Sequence, residues 1–116
     1  MNGQQHSIRM SEESIYDILN AIRKKPGIYI ATPSINRLDA FIVGYTAGLG
    51  RAGVGLRDKD HFRRFHDWIA QRLGFGGSAS GWCNMIRERS TSEADAFDRF
   101  YLLLDEFRND SDKARP

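Results

Sequence analysis

Four groups of residues in this chain have types and spacings that could do chemistry. Gly48-Leu49-Gly50-Arg51-Ala52-Gly53 spells GxGxxG. That fingerprint needs a strand before it and a helix opening within it, so that free backbone amides cradle a pyrophosphate. Phe41-Ile42-Val43 could serve as the strand, but the charged run Arg57-Asp58-Lys59-Asp60 precedes any helix. No second βα unit follows, so the glycines read as a helix C-cap and loop, with no cofactor. His61 and His66 are five apart, which on a helix sets them about 140° apart, too far round to grip one metal. Cys83 is the only cysteine, so it forms no internal disulfide and reads as a small buried apolar residue. Asp98, Asp105 and Glu106 have no nucleophile or base at a helpful spacing and fall on a solvent-type arc. These readings leave no catalytic residue, metal ligand or cofactor site, so a non-enzymatic protein is expected.

The element that carries most information is the last helix, from Ser92 to about Asn109. At 100° per residue, Ala96, Phe97, Phe100, Tyr101, Leu103, Leu104 and Phe107 share one broad arc. Asp95, Asp98, Asp105, Glu106 and Asn109 share the other, with Leu102 alone among them. A packed helix with an acidic outer face suggests a protein that works by binding another macromolecule. Asp95, Asp98, Leu102, Asp105 and Glu106 are the candidate partner-binding residues, Leu102 as anchor and the acids as its electrostatic surround.

Residues 1–10 read as a flexible lead-in, and Met10 is a second candidate start. Ser11 is expected to cap a first helix with the stripe Ile15, Ile18, Leu19 and Ile22, ended by Pro26-Gly27. Ile28-Tyr29-Ile30 is β-prone but short. Ser34 caps a second helix, from Ile35 to about Leu49. It is apolar nearly all round, which places it centrally, with Gly44 and Gly48 admitting close neighbours. Gly50 to Gly55 reads as a loop. Asp58 or Asp60 starts a third helix carrying Phe62, Phe65, Ile69 and Leu73. Ser78 or Ser80 starts a short fourth with Trp82, Met85 and Ile86. Ser90 and Glu93 have capping-box spacing ahead of the last helix. The expected fold is all-α, a single-domain irregular bundle of about five helices over residues 11–109, followed by a flexible tail at 110–116.

With 116 residues, one domain able to bury its own core is expected. The first ten residues lack the apolar core of a secretory signal, and no apolar run nears the ~20 residues of a membrane span. A soluble cytoplasmic protein without a membrane partner is therefore expected. The net charge of +2 is divided unevenly. From residue 51 to 72, six basic residues face three acidic ones, giving +3; from 93 to 112, seven acidic face two basic, giving −5. The basic segment offers an alternative function, a small helical nucleic-acid-binding or regulatory protein using residues 51–72. Arg57, Lys59, Arg63, Arg64 and Arg72 form its patch, diluted by Asp58, Asp60 and Asp67.

Two resemblances add to this reading. Arg23-Lys24-Lys25-Pro26-Gly27-Ile28-Tyr29-Ile30 resembles the opening of the gyrase-type ATPase domain over eight residues. That ATP site needs an acid and an asparagine on the next helix. Here Asn36 and Asp39 stand only at its start and the chain is much shorter, so the likeness is one of a shared turn. Over most of residues 12–108 the pattern resembles small helical immunity proteins encoded beside bacterial polymorphic toxins. The shared stretches are 25–30, 34–38, 41–45, 68–75, Ser80-Gly81-Trp82-Cys83-Asn84-Met85-Ile86 and 100–107. The family often has glycine where this chain has Ala31. The resemblance implies a cytoplasmic protein that binds and neutralises a cognate toxin domain by stoichiometric occlusion, with no catalytic residue. Self-association as a homodimer is left open.

Overall fold

The computed structural model describes residues 9–76 and 81–113, with side chains to residue 111. The chain is mostly helical. In order along it lie β1 (Arg9–Ser14), α1 (Ile15–Lys24), α2 (Pro26–Tyr29), α3 (Ile35–Arg51), β2 (Val54–Arg57), α4 (Lys59–Arg63), α5 (Phe65–Leu73), α6 (Trp82–Glu88) and α7 (Glu93–Lys113).

The two strands correct the all-α expectation. They pair in parallel, Arg9 opposite Val54, Met10 opposite Gly55 and Ser14 opposite Arg57, with an irregularity between Met10 and Ser14. Nothing in Arg-Met-Ser-Glu-Glu-Ser favours a strand by composition; the backbone ladder to β2 makes it one. Gly53, at φ 74°, turns the chain from α3 into β2, and Leu56 anchors β2 in the core. The Arg57 guanidinium donates to the Glu12 carbonyl and ties the pair further.

Because residues 11–14 are extended, the cap of α1 is Ser14 rather than Ser11. Its Oγ accepts from the Tyr16 amide at 3.0 Å, and its own amide donates to Asp17 Oδ2 at 2.9 Å, closing a capping box. Ile15, Ile18, Leu19 and Ile22 are buried as their spacing demands. Pro26 ends α1 and opens the single turn of α2, so Ile28 and Tyr29 are helical rather than extended. Ala31 follows at φ 73°, a left-handed conformation that a Cβ disfavours.

Helix α3 is capped by Ser34, whose Oγ accepts from the Arg37 amide at 3.2 Å. It buries Ile35, Leu38 and Ile42 on one side only. Ala40, Val43, Ala47 and both glycines on the far side are exposed, and nothing lies within 4 Å of where Gly44 or Gly48 would carry a Cβ. The expected central, fully buried helix is therefore a peripheral one with a small-residue outer face. Alanine and glycine gain little by burial, so their pattern did not compel a neighbour, and Val43 stays exposed among them.

The expected third helix is bent at Arg64 into α4 and α5. Asp58, in the left-handed region, precedes α4 without a side-chain cap bond. Gly74, at φ 79°, ends α5, with the Phe75 amide donating back to the Ala70 carbonyl at 2.8 Å. The caps expected at Ser78 and Ser80 lie outside the described residues; α6 opens after Gly81. Ser92, not Ser90, caps α7: its Oγ accepts from the Asp95 amide at 3.0 Å. Ser90 instead donates to the Ile86 carbonyl at 2.7 Å, closing α6. Helix α7 continues past Asn109 to Lys113.

The core joins all of these. Phe65, Ile69, Met85, Ile86, Ala96 and Phe100 have no exposed surface, and Phe97, Leu104 and Phe107 are buried beside them. Phe41 and Trp82, also expected in the core, pack against it half-buried. Truncating Phe100 to alanine should cost about 3–5 kcal/mol in urea denaturation, because its ring meets Phe62, Phe65, Trp82 and Tyr101. Ala31→Gly should change stability in the opposite sense, by about 1 kcal/mol, since glycine relieves the positive φ; a destabilised A31G would refute the strain.

Candidate functional site

Helix α7 packs its apolar arc inward, which leaves Leu102 at the crest of the opposite side, 60% exposed. The candidate acids divide across that crest. Asp105 lies towards α1, where Arg23 Nη1 donates to both of its oxygens at 3.1 Å. Arg23 also lies over the Tyr101 ring, 5.1 Å from its centre. Glu106 lies towards α5 and accepts from Arg72 Nε at 3.0 Å. Asp95 accepts from Arg99 Nε at 3.0 Å and from the Thr91 amide at 2.8 Å. The Thr91 amide, then Arg99, hold its carboxyl below the usual carboxylate range. Asp98 is exposed and, among the described residues, joins no ion pair. The five candidates do share one face of α7, but three of its four acids are already matched to arginines. Sequence periodicity places acids on an arc; it does not show that Arg23 and Arg72 stand opposite them.

On the α5 side of the crest is a groove of about 190 Å³ between α5, α6 and α7. Its apolar lining comes from Leu73, Ile86, Leu103 and Leu102. Arg72, Arg89, Arg99 and Glu106 complete the lining. Arg89 is held by a bond from Nη2 to the Leu73 carbonyl at 2.9 Å and by the Phe75 ring, 4.4 Å from its guanidinium carbon. Neither Arg89 nor the groove is marked by any local spacing, because the three helices that form it are separated along the chain.

A second polar cluster centres on Glu93. Its carboxylate accepts from Ser34 Oγ at 2.7 Å, from the Asn36 amide at 3.1 Å, from Asn36 Nδ2 at 3.0 Å and from Arg87 Nε at 3.2 Å. It therefore joins the start of α7 to the start of α3 and the end of α6. A carboxylate at a helix N-terminus is favourably placed. The Ser34 hydroxyl, aided by the Asn36 amide and Arg87, holds its carboxyl below the usual range against a smaller effect of burial.

The other chemical candidates have structural surroundings. Within the GxGxxG run, the Ala52 amide donates to Gly48 and the Gly53 amide to Gly50, and a strand follows instead of a helix. Backbone donors there close the end of α3. His61 shares a hydrogen bond with Tyr16 and packs against Phe107, while His66 lies on another side of the α4–α5 bend, 4.0 Å from Asp67. His6 lies outside the described residues. Among the described residues no three metal-ligating side chains come together. Cys83 is buried, donating weakly to the Ile35 carbonyl and Asn36, and burial pushes its thiol up to about 11. In the basic segment Arg57 binds the Glu12 carbonyl, Arg63 pairs with Asp60 at 3.0 Å and Arg72 pairs with Glu106. Its charges are distributed over the end of α3, β2, α4 and α5 rather than along one helix.

Among the described residues no helix is long and apolar enough to cross a membrane. No family model, curated protein or solved structure matches the chain.

The Glu93 cluster has a pH signature. A carboxyl held lower in the folded state than in the unfolded chain adds stability above its unfolded value, and that stability is lost as pH falls through the folded value. Urea midpoints taken from about pH 7 to about pH 3 should fall in that direction. Glu93→Gln should lower the midpoint at neutral pH and flatten part of the slope; an unchanged slope would show that Glu93 does not contribute to it.

Proposed function

We propose that this chain is a non-catalytic immunity protein that binds a cognate bacterial toxin domain and neutralises it by stoichiometric occlusion, with α7 supplying part of the contact. The observation that carries the proposal is Leu102, a large apolar side chain 60% exposed at the crest of a helix whose other large apolar residues are buried. An apolar anchor ringed by ordered polar groups is how binding energy concentrates in protein interfaces. The resemblance to immunity proteins encoded beside polymorphic toxins supports the same reading, with the cytoplasm as the proposed site of action.

The ion pairs alter how the acidic arc contributes. Asp105 and Glu106 are partly neutralised by Arg23 and Arg72, so they order the face more than they project negative charge. Asp98 remains the candidate steering charge, and reversing it breaks no ion pair among the described residues.

The test co-expresses this chain with the toxin domain encoded next to it, and measures growth and complex kinetics. Leu102→Ala should speed dissociation about tenfold or more while leaving the fold intact, because Leu102 lies outside the core. Asp98→Lys should slow association, with a defect that shrinks as salt screens it. Full protection and unchanged rates for both variants would remove α7 from the interface. Failure of the wild-type chain to bind or protect would refute the immunity function itself.

A further inference from the structure

We infer that the groove between α5, α6 and α7 receives an apolar side chain from an acidic segment of a protein partner. This rests on the protein-binding reading of α7 and names the chemistry of what binds there. Size comes first. At about 190 Å³ the groove is smaller than the roughly 300–1,000 Å³ typical of small-molecule and cofactor sites, but suits a peptide side chain. Its floor is apolar, so the group that enters is apolar.

Charge then selects the flanks. Three guanidiniums, Arg72, Arg89 and Arg99, line the groove against one carboxylate, Glu106. Arg72 answers Glu106, and Arg99 answers Asp95. Arg89 has no carboxylate within ion-pair reach among the described residues, and its carbonyl and ring contacts hold it in place beforehand. Arg72 and Arg99 keep about half of their side-chain surface, 48% and 50%, so both can still meet an incoming carboxylate. A basic segment would meet the unanswered charge of Arg89 and compete with Arg72 and Arg99 for their carboxylates, and an apolar one without acids would leave Arg89 unanswered. An acidic segment gains charge-assisted bonds at each flank, with guanidiniums already partly ordered. The groove therefore selects a partner surface opposite in charge to the one that the acidic arc of α7 suggests when read alone.

The probe is a short fluorescent peptide with a central pair of leucines flanked by glutamates, titrated into the full ¹⁵N-labelled chain. It should bind, with amide shifts confined to residues 72–73, 86–89 and 99–106. Replacing the flanking glutamates by lysines, or the leucines by serines, should weaken binding about tenfold or more. Arg89→Gln should do the same in the chain, and Arg99→Gln, whose ion pair is with the partly exposed Asp95, serves as a second variant should Arg89→Gln unfold. Equal binding of the lysine peptide or of a single-stranded oligonucleotide would overturn the inference, as would shifts centred on α3. The toxin co-expression assay separates the two readings. If wild type protects and both arginine variants protect equally, the groove is refuted and the immunity function stands. If wild type does not protect but the glutamate peptide binds as described, the groove stands and the immunity function falls.

Discussion

The ring of Phe65 holds the molecule together. It stacks on Phe62 and Trp68 and meets Trp82, Phe100 and Phe107 edge-on, with centroid distances of 5.3–6.1 Å. One side chain thereby relates α4, α5, α6 and α7. Phe62 and Phe65 stand on either side of the bend at Arg64 with their rings nearly parallel, 15° apart. Aromatic pairs of this kind contribute about 0.5–1.5 kcal/mol each beyond the area they bury. The groove beside Leu102 exists because these rings hold three helices at that spacing, so the outer face inherits its shape from the core.

The polar contacts around α7 act differently. Arg23–Asp105, Arg72–Glu106 and Arg99–Asp95 are open to solvent, and water screening leaves such pairs little net contribution to stability. Their effect is to restrict long side chains that would otherwise sample many rotamers. A face whose arginines and carboxylates are already mutually oriented loses less entropy when it meets a partner. Glu93 acts similarly at a partly exposed junction of the bundle, tying three helix ends together through groups distant along the chain.

The core was legible because large side chains at helical spacing have only one economical arrangement. The stripes of α1, α5 and α7 are buried as their periodicity requires. Alanine, valine and glycine carry a weaker message, so the outer face of α3 looked like core and is exposed. The strand pair was invisible for another reason. Its stability comes from backbone groups of residues far apart in sequence, and β1 has no residue pattern to announce it. The candidate face was half legible. Leu102 and Asp98 are as open as the helical wheel suggests, whereas the arginines that answer Asp105 and Glu106 come from helices 82 and 34 residues away. Ser14 took over the cap expected at Ser11 because pairing with β2 keeps the preceding residues extended, and Ser92 caps α7 because Ser90 is bonded back to the end of α6.

The strand pair also determines how the protein breathes. β1 and β2 meet across 45 residues of chain at Glu12 and Arg57, so closing them carries the entropy of a long loop and brings only a two-stranded ladder in return. Leu56 is the only β2 side chain seated in the core. Elements with few buried apolar contacts open at lower free energy than a packed core, so amide exchange is expected to be faster in this pair than in the aromatic bundle. Detachment frees the backbone edge of Val54–Arg57 for another extended chain.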